Sequence, residues 1–488
     1  MMGIRGVGGQ SIALRHCFPA YFLGAVVIIL VLLSGCLAED GSRGGAAVGK
    51  AQQPVGNAAQ VSAFLQLKEP AGPSLQLSIS RVEILANGIW TELSVEPRRV
   101  DAAKLAAGQL LLCRNVVEPG RYQALRLTLA EAGVFRVGRS IPLTLASTQV
   151  ELPLAVDLDL AKGDSKSLFI TLDTVASLLG GDTLTPVLSA VVQTPPLVAD
   201  LLYVACPSIN TVYLVRCDKN WVSGSIGISG RPTYLGADAV GKRLYVLASG
   251  EAVINVIESA TNRIVDKLRI PMVMEPGFMT VSPDGGSAYI LDSRSGNVVR
   301  LELPSGRLAA QVRLGERPEY AAFLAEQGLL AVSSAMASTV SLLNTTNLAT
   351  VQTITAGNSP EGMAGVNGIL YIAERAANTV MLYDLKTGRI RDRLHVGFGP
   401  RRILVSNNQI YVASSNPAIG VLLVGQLSTT AEIATTGKPL EMAAADRRRW
   451  IYAAGDNPAG LTVIDNTTNR PAGFIELGAP PLGMAVLQ

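Results

Sequence analysis

Histidine is almost missing from this chain: His16 and His395 are the only two among 488 residues. His16 falls in a segment that the N-terminal pattern marks for removal, which leaves His395 alone in Arg393-Leu394-His395-Val396. A histidine acid–base pair or a multi-histidine metal site is thereby excluded within the chain. Cysteine is also scarce, with five residues, and no Cys-x-x-Cys-His run exists for covalent haem attachment. There is no phosphate-binding loop, and the Gly-x-Gly pairs sit in turns with no helix behind them. An excess of one charge is missing too. The 41 Lys and Arg nearly balance the 38 Asp and Glu, and more nearly still once Arg5 and Arg15 leave with the N-terminal segment. Such a chain lacks the electrostatic footprint of a nucleic-acid binder. Charged residues are only 16%, against 48% hydrophobic with 48 Gly and 26 Pro. That balance suits many short strands joined by tight turns and disfavours long helices.

What is present is a repeat. Leu202-Tyr203-Val204-Ala205 returns at Tyr245, Tyr289, Tyr371, Tyr411 and Tyr452, with Leu330 in the tyrosine place of the fourth copy. A period of about 40 residues, each unit holding several short β-rich runs, reads as propeller blades. The third unit shows the internal order. Glu275-Pro276-Gly277 opens it, Phe278-Met279-Thr280-Val281 is the inner strand, and Ser282-Pro283-Asp284-Gly285-Gly286 turns. Ala288-Tyr289-Ile290-Leu291, Asn297–Leu301 and Leu308–Leu314 follow as the second, third and outer strands.

Asn378-Thr379-Val380-Met381-Leu382-Tyr383-Asp384 and Leu461-Thr462-Val463-Ile464-Asp465-Asn466 resemble the third strand and turn of the YVTN family of β-propeller repeats. The resemblance covers 201–488 and implies a seven-bladed propeller. A loop proline precedes each inner strand, at Pro232, Pro276, Pro318, Pro360, Pro400, Pro439 and Pro481. Tyr203 has too few residues before it for an inner strand of its own, and Gly483–Leu487 has no tyrosine strand after it. The C-terminal strand is therefore expected to complete the first blade, closing the ring with no open edge.

The N-terminus carries an address. Arg5, Arg15 and His16 precede the apolar run Ala20–Leu33, and Leu33-Ser34-Gly35-Cys36 follows. The run spans roughly 21 Å as a helix, short of the ~30 Å hydrocarbon layer, so 1–35 reads as a secretory signal. Leu33-Ser34-Gly35-Cys36 resembles the lipobox of bacterial lipoproteins, which implies lipidation of Cys36, with Leu37 favouring outer-membrane sorting. Residues 36–60 are then the lipidated cysteine and a Gly/Ala/Gln-rich tether.

Between 61 and 194 no repeat appears, but Ser74–Ser80, Arg126–Leu129 and Val156–Leu160 alternate with period two, so the segment reads as a small β-sandwich. Ile79–Ile84, Trp90–Leu93, Val100–Leu105, Pro119–Leu127 and Leu184–Val187 resemble, in order, a bacterial domain family of unknown function with a prealbumin-like sandwich. That resemblance implies a fold and no chemistry. Asp157, Asp159 and Asp164 could suggest calcium, but in an alternating strand the first two point outward together as a solvated face. Thr194-Pro195-Pro196 marks the passage to the propeller, 197–488. Cys206 and Cys217 fall roughly 20 Å apart along the first hairpin, far beyond the ~6 Å a disulfide spans, so Cys113, Cys206 and Cys217 are expected as buried thiols.

The loops before the inner strands gather on one face around the axis, where propellers most often bind. They carry Arg231, Glu275, Arg317, Glu319, Glu361, Arg401, Arg402, Lys438 and Glu441, with Tyr234, Phe278 and Tyr320 beside them. This ring is the expected partner-binding site. Three places past each loop proline stand Leu235, Met279, Ala321, Met363, Ile403, Met442 and Met484. The four methionines suggest copper, but filling irregular gaps between blades is the simpler role. The expectation is a monomeric, non-enzymatic envelope lipoprotein, with no catalytic residue, cofactor or metal, whose funnel face holds a protein or polymer. The alternative is a lactonase-like hydrolase with a divalent ion on funnel carboxylates, which requires several glutamates converging free of arginine.

Overall fold

The computed structural model describes residues 58–487 apart from 70–72, 106–107, 137, 179–180, 196–199, 239 and 316. The expected signal 1–35, the expected lipidation site Cys36 and the expected tether as far as residue 57 lie outside the described residues. The rest is all-β. No helix among the described residues is long and apolar enough to cross a membrane.

The first domain is one ten-stranded sheet rather than two separate layers. Its main path runs Ile89–Ser94, Leu75–Ala86, Gly120–Arg136, Gln149–Leu160, Leu188–Val192, Ser165–Leu172, Ala59–Leu67, Leu110–Val117, with Arg98–Asp101 paired to Leu75–Ala86 and Arg139–Pro142 to Gly120–Arg136 beside it. The Asn115 side-chain amide donates to Leu93 O at 3.0 Å, so the two ends meet and the expected sandwich is a curled, barrel-like sheet. Strand alternation explains the curl: Leu75, Ile84, Leu125, Leu127, Leu168 and Ile170 all face inward and are fully buried. Asp157 and Asp159 do lie side by side, and Arg121 sits on both at 2.5 and 3.8 Å.

Seven four-stranded sheets follow, and the seam is as expected. The first blade runs Trp221–Gly227, Thr211–Arg216, Leu201–Cys206, Met484–Leu487. In it Leu201 pairs with Leu487 and Val204 with Met484, antiparallel. The recurring tyrosine has a physical reason. Each is buried on the second strand, and several hydroxyls cross to the outer turn of the next blade. Tyr203 donates to Asn262 Oδ1 at 2.9 Å, Tyr411 to Asn469 Oδ1 at 2.9 Å, and Tyr452 to Asn220 Oδ1 at 2.5 Å. Those asparagines adopt φ of 52°, 55° and 55°, the left-handed turn conformation asparagine tolerates. Tyr452–Asn220 ties the last blade to the first. In the fourth blade Leu330 takes the tyrosine place and is fully buried there.

The barrel packs on the first blade as one body with it. Phe64, Leu111 and Phe169 share a buried cluster with Leu202, Val204 and Tyr213. Ser62 Oγ lies 3.0 Å from Tyr213 OH, Ser167 Oγ lies 2.9 Å from Ser225 Oγ, and Gln60 donates to Thr211 at 3.1 Å. Gly227 has to be glycine, since a Cβ there would lie 2.0 Å from Gly163 O. This docking covers the outer strand of the first blade, an edge that would otherwise be open to pairing.

Candidate functional site: the funnel face

The inner strands converge on the axis, and two places past each loop proline the side chain reaches it. In blade order from the second, these residues are Tyr234, Phe278, Tyr320, Gly362, Arg402, Glu441 and, closing the ring, Gly483. The glycines mark the tightest approaches. A Cβ on Gly362 would meet Arg401 O at 2.6 Å, and one on Gly483 would meet Thr233 O at 2.2 Å. The remaining five residues plug the channel.

One arc of the plug is aromatic. Phe278 lies between Tyr234 and Tyr320 with ring centroids 4.6 Å from each. The other arc is ionic. Arg402 donates through Nε to Glu441 Oε2 at 3.1 Å, through Nη1 to Glu361 Oε2 at 3.3 Å, and through Nη2 to Tyr234 OH at 3.2 Å. Its guanidinium also stands 4.9 Å from the Tyr320 ring centroid, so one cation joins the two arcs. Burial works against that charge, but the oxygens of Tyr234, Glu441 and Tyr320 more than offset it and hold Arg402 protonated. Burial pushes the Glu441 carboxyl up, with Arg402 pulling the other way. Burial likewise raises the Tyr234 and Tyr320 hydroxyls.

Above the ionic arc opens a cavity of about 600 Å³, lined by Arg317, Glu319, Glu361, Arg375, Arg401 and Arg402 with Ser338, Asn358 and Ser359. Glu361 is shared among three guanidiniums, with Arg375 at 3.0 Å and Arg401 and Arg402 each at 3.3 Å. Arg317 lies 3.5 Å from Glu319. With four arginines and two glutamates on its walls, the cavity carries an excess of positive charge.

The sequence-predicted residues therefore divide. Arg317, Glu319, Glu361, Arg401 and Arg402 come together at the cavity. Glu441 is held by Arg402 beneath it. Tyr234 and Phe278 are buried, at 8% and 5% exposure, and Tyr320 is half-buried, so these rings seal the floor where a contact surface was expected. Arg231, Glu275 and Lys438 are exposed on the same face, and no ion pair joins them to the cavity among the described residues. The methionines three places past the prolines do not converge. Met279, Met363 and Met442 lie in three different clusters and Met484 packs on a fourth, each filling a space between blades.

Arg375, Met336 and Ser338 were missed because they sit on second-to-third-strand turns. Those turns open on the same face, since Glu374 pairs with Pro360 at the strand end. The signal was available: the residue just beyond each Tyr-x-Ala strand must lie beside the loop proline.

Residues 71–186 match a family described as Domain of unknown function (DUF4382). The match covers most of the barrel, whose strands run from Ala59 to Val192. No curated protein matches the chain. Among solved structures, a functionally unknown protein from Desulfotomaculum acetoxidans is similar at 13% identity and TM-score 0.54, covering 59% of this chain and 99% of that one. A proposed 6-phosphogluconolactonase from Bacteroides fragilis is similar at 12% identity and TM-score 0.51, covering 59% and 98%. At such identities the likeness is one of propeller fold alone.

Proposed function

We propose that this DUF4382 propeller protein is a non-enzymatic recognition module of the cell envelope, held to a membrane through Cys36, whose funnel face binds a protein or polymer partner. The observation that supports it is the arginine-walled cavity, where buried charge, an opening and an uneven charge balance coincide. The lactonase-like alternative calls for glutamates free to hold a divalent ion. Glu361 instead serves three arginines, Glu441 serves Arg402, and Glu319 faces Arg317. That pairing weighs against the hydrolase.

The test is a pull-down from envelope extract with wild type and an Arg317→Ala/Arg401→Ala variant. Recovery by wild type and loss by the variant supports the reading, and equal recovery removes the funnel face from it. Anchoring is read separately. Labelled palmitate should enter the wild-type chain and be absent from Cys36→Ser, and labelling that survives the substitution would contradict the anchor.

A further inference from the structure

The face around the cavity carries apolar side chains as well as arginines. Met336, in the fourth blade's second-to-third-strand turn, lines the cavity and is 60% exposed. Phe398, in the loop entering the sixth blade, is 61% exposed. Met274 is 64% exposed in the loop entering the third blade. That last loop is held out rigidly. The buried Asp292 carboxylate accepts from the backbone N–H of Met274, of Arg294 at 2.9 Å and of Ser295 at 3.1 Å. Burial alone would raise this carboxyl, but the backbone donors hold it below its ordinary range. Met336 and Phe398, large apolar side chains exposed beside the cavity arginines, match the composition of protein-recognition surfaces.

We infer that the occupant of the funnel face is an acidic protein segment with apolar residues beside its carboxylates, an inference that rests on the recognition reading above. A carboxylate side chain enters the cavity onto Arg317, Arg375 and Arg401. Its apolar neighbours settle on Met336 and Phe398. Three features select this class over an acidic polysaccharide. The axial rings that could stack on sugars, Tyr234 and Phe278, are buried within the plug, which leaves Phe398 as a lone exposed ring beside the cavity. The exposed apolar groups are mainly flexible thioethers, which adapt to side chains. The cavity, about 600 Å³, has room for one or two side chains, while a long polymer would need an open groove. Charge supplies the complementarity, because guanidiniums sharing one carboxylate retain N–H donors for a second.

The experiment pans a random 12-residue phage library on the full chain, with the Arg317→Ala/Arg401→Ala variant as the subtractive bait. Enriched peptides should carry Asp or Glu flanked by apolar residues. The synthetic consensus should bind the double variant roughly tenfold or more weakly, as expected for losing charge-assisted hydrogen bonds. Its Asn/Gln analogue should fail similarly on wild type, and Met336→Ser/Phe398→Ser should also weaken it. No enrichment, a consensus without acids, or equal binding to the arginine variant would overturn the proposal. So would affinity indifferent to Met336→Ser/Phe398→Ser together with full displacement by free phosphate, which would mark a small-anion site. Arginine-dependent binding of polygalacturonate in place of peptides would also contradict it. If the pull-down succeeds while the library gives no acidic consensus, only this inference falls. If neither succeeds, the recognition reading falls with it.

Discussion

From one strand position, three blades close the channel with rings and two close it with charge. Tyr234, Phe278 and Tyr320 exclude water by contact and ask only to be packed. Arg402 and Glu441 are buried to a similar extent, at 8% and 7% exposure, yet taking two charges out of water costs several kcal/mol per ion before their attraction offsets it. Stability alone would favour a fully aromatic or aliphatic plug. The charged arc is the half that opens onto the cavity, and that is where a cation is useful. On the proposed recognition reading, the contrast separates a seal from a receptor within one ring of equivalent residues.

Both arcs presuppose a shut ring, so the largest effect should come from opening it. Deleting 482–488 removes Gly483 from the axis and the strand that pairs with Leu201–Val204. Thermal unfolding should lose cooperativity and begin far below wild type. An unchanged melting curve would mean the seam carries no load.

The next test compares the arcs directly. Phe278→Ala should cost about 3–5 kcal/mol by opening a cavity between two rings. Arg402→Ala should cost a similar amount, about 3–5 kcal/mol, by stranding the buried Glu441. The two differ in rescue. Arg402→Met/Glu441→Leu should return stability to within about 1 kcal/mol of wild type or above it, because an apolar pair of similar volume replaces the ions. Urea denaturation measures all three, and a double variant as unstable as Arg402→Ala would break the comparison.

A third test uses pH and sets the plug against the barrel's ion pair. Arg126 donates to Glu83 at 2.9 and 2.8 Å, and this holds the Glu83 carboxyl below its ordinary value of 4.5. Glu83 therefore contributes stability at pH above its unfolded value, and loses it as pH falls through its lower folded value. Glu441 has the opposite sign, because burial raises its folded value above 4.5. Its favourable contribution is present below the unfolded value and is lost as pH rises through the folded one. Glu83→Gln should flatten the acid limb of the stability curve, and Glu441→Gln should flatten the opposing slope above it. Urea midpoints across pH 3–8 check both, and slopes of the same sign would contradict the assignment.

The smallest effect concerns the seam's side chains. Tyr452→Phe removes the hydroxyl that reaches Asn220 and should cost about 1 kcal/mol, seen as a small drop in melting temperature. A larger loss would mean the hydroxyl does more than tie one turn.

Much of this was legible in the sequence, and what was missed has a physical reason. The tyrosine period and the proline phase determine blade number and closure, because a strand without a partner must find one. The barrel was less readable: alternation in Leu75–Ala86 or Gln149–Leu160 says which side chains face inward, not whether a sheet splits into layers or curls. At the site, Glu361, Arg401 and Arg402 were found by their place before the inner strands. Arg375 and Met336 come from the other set of turns on the same face. Nor does sequence say which equivalent residue points down the axis and which up to solvent. That is why Tyr234 and Phe278 looked like contact residues and turned out to be floor.

The most direct measurement of the central claim is partner recovery by Arg402→Met/Glu441→Leu, compared with wild type at matched folded protein. If the ionic arc exists for recognition, this variant should be at least as stable as wild type within about 1 kcal/mol and should recover markedly less partner than wild type. Undiminished recovery by the stable, uncharged plug would contradict the account.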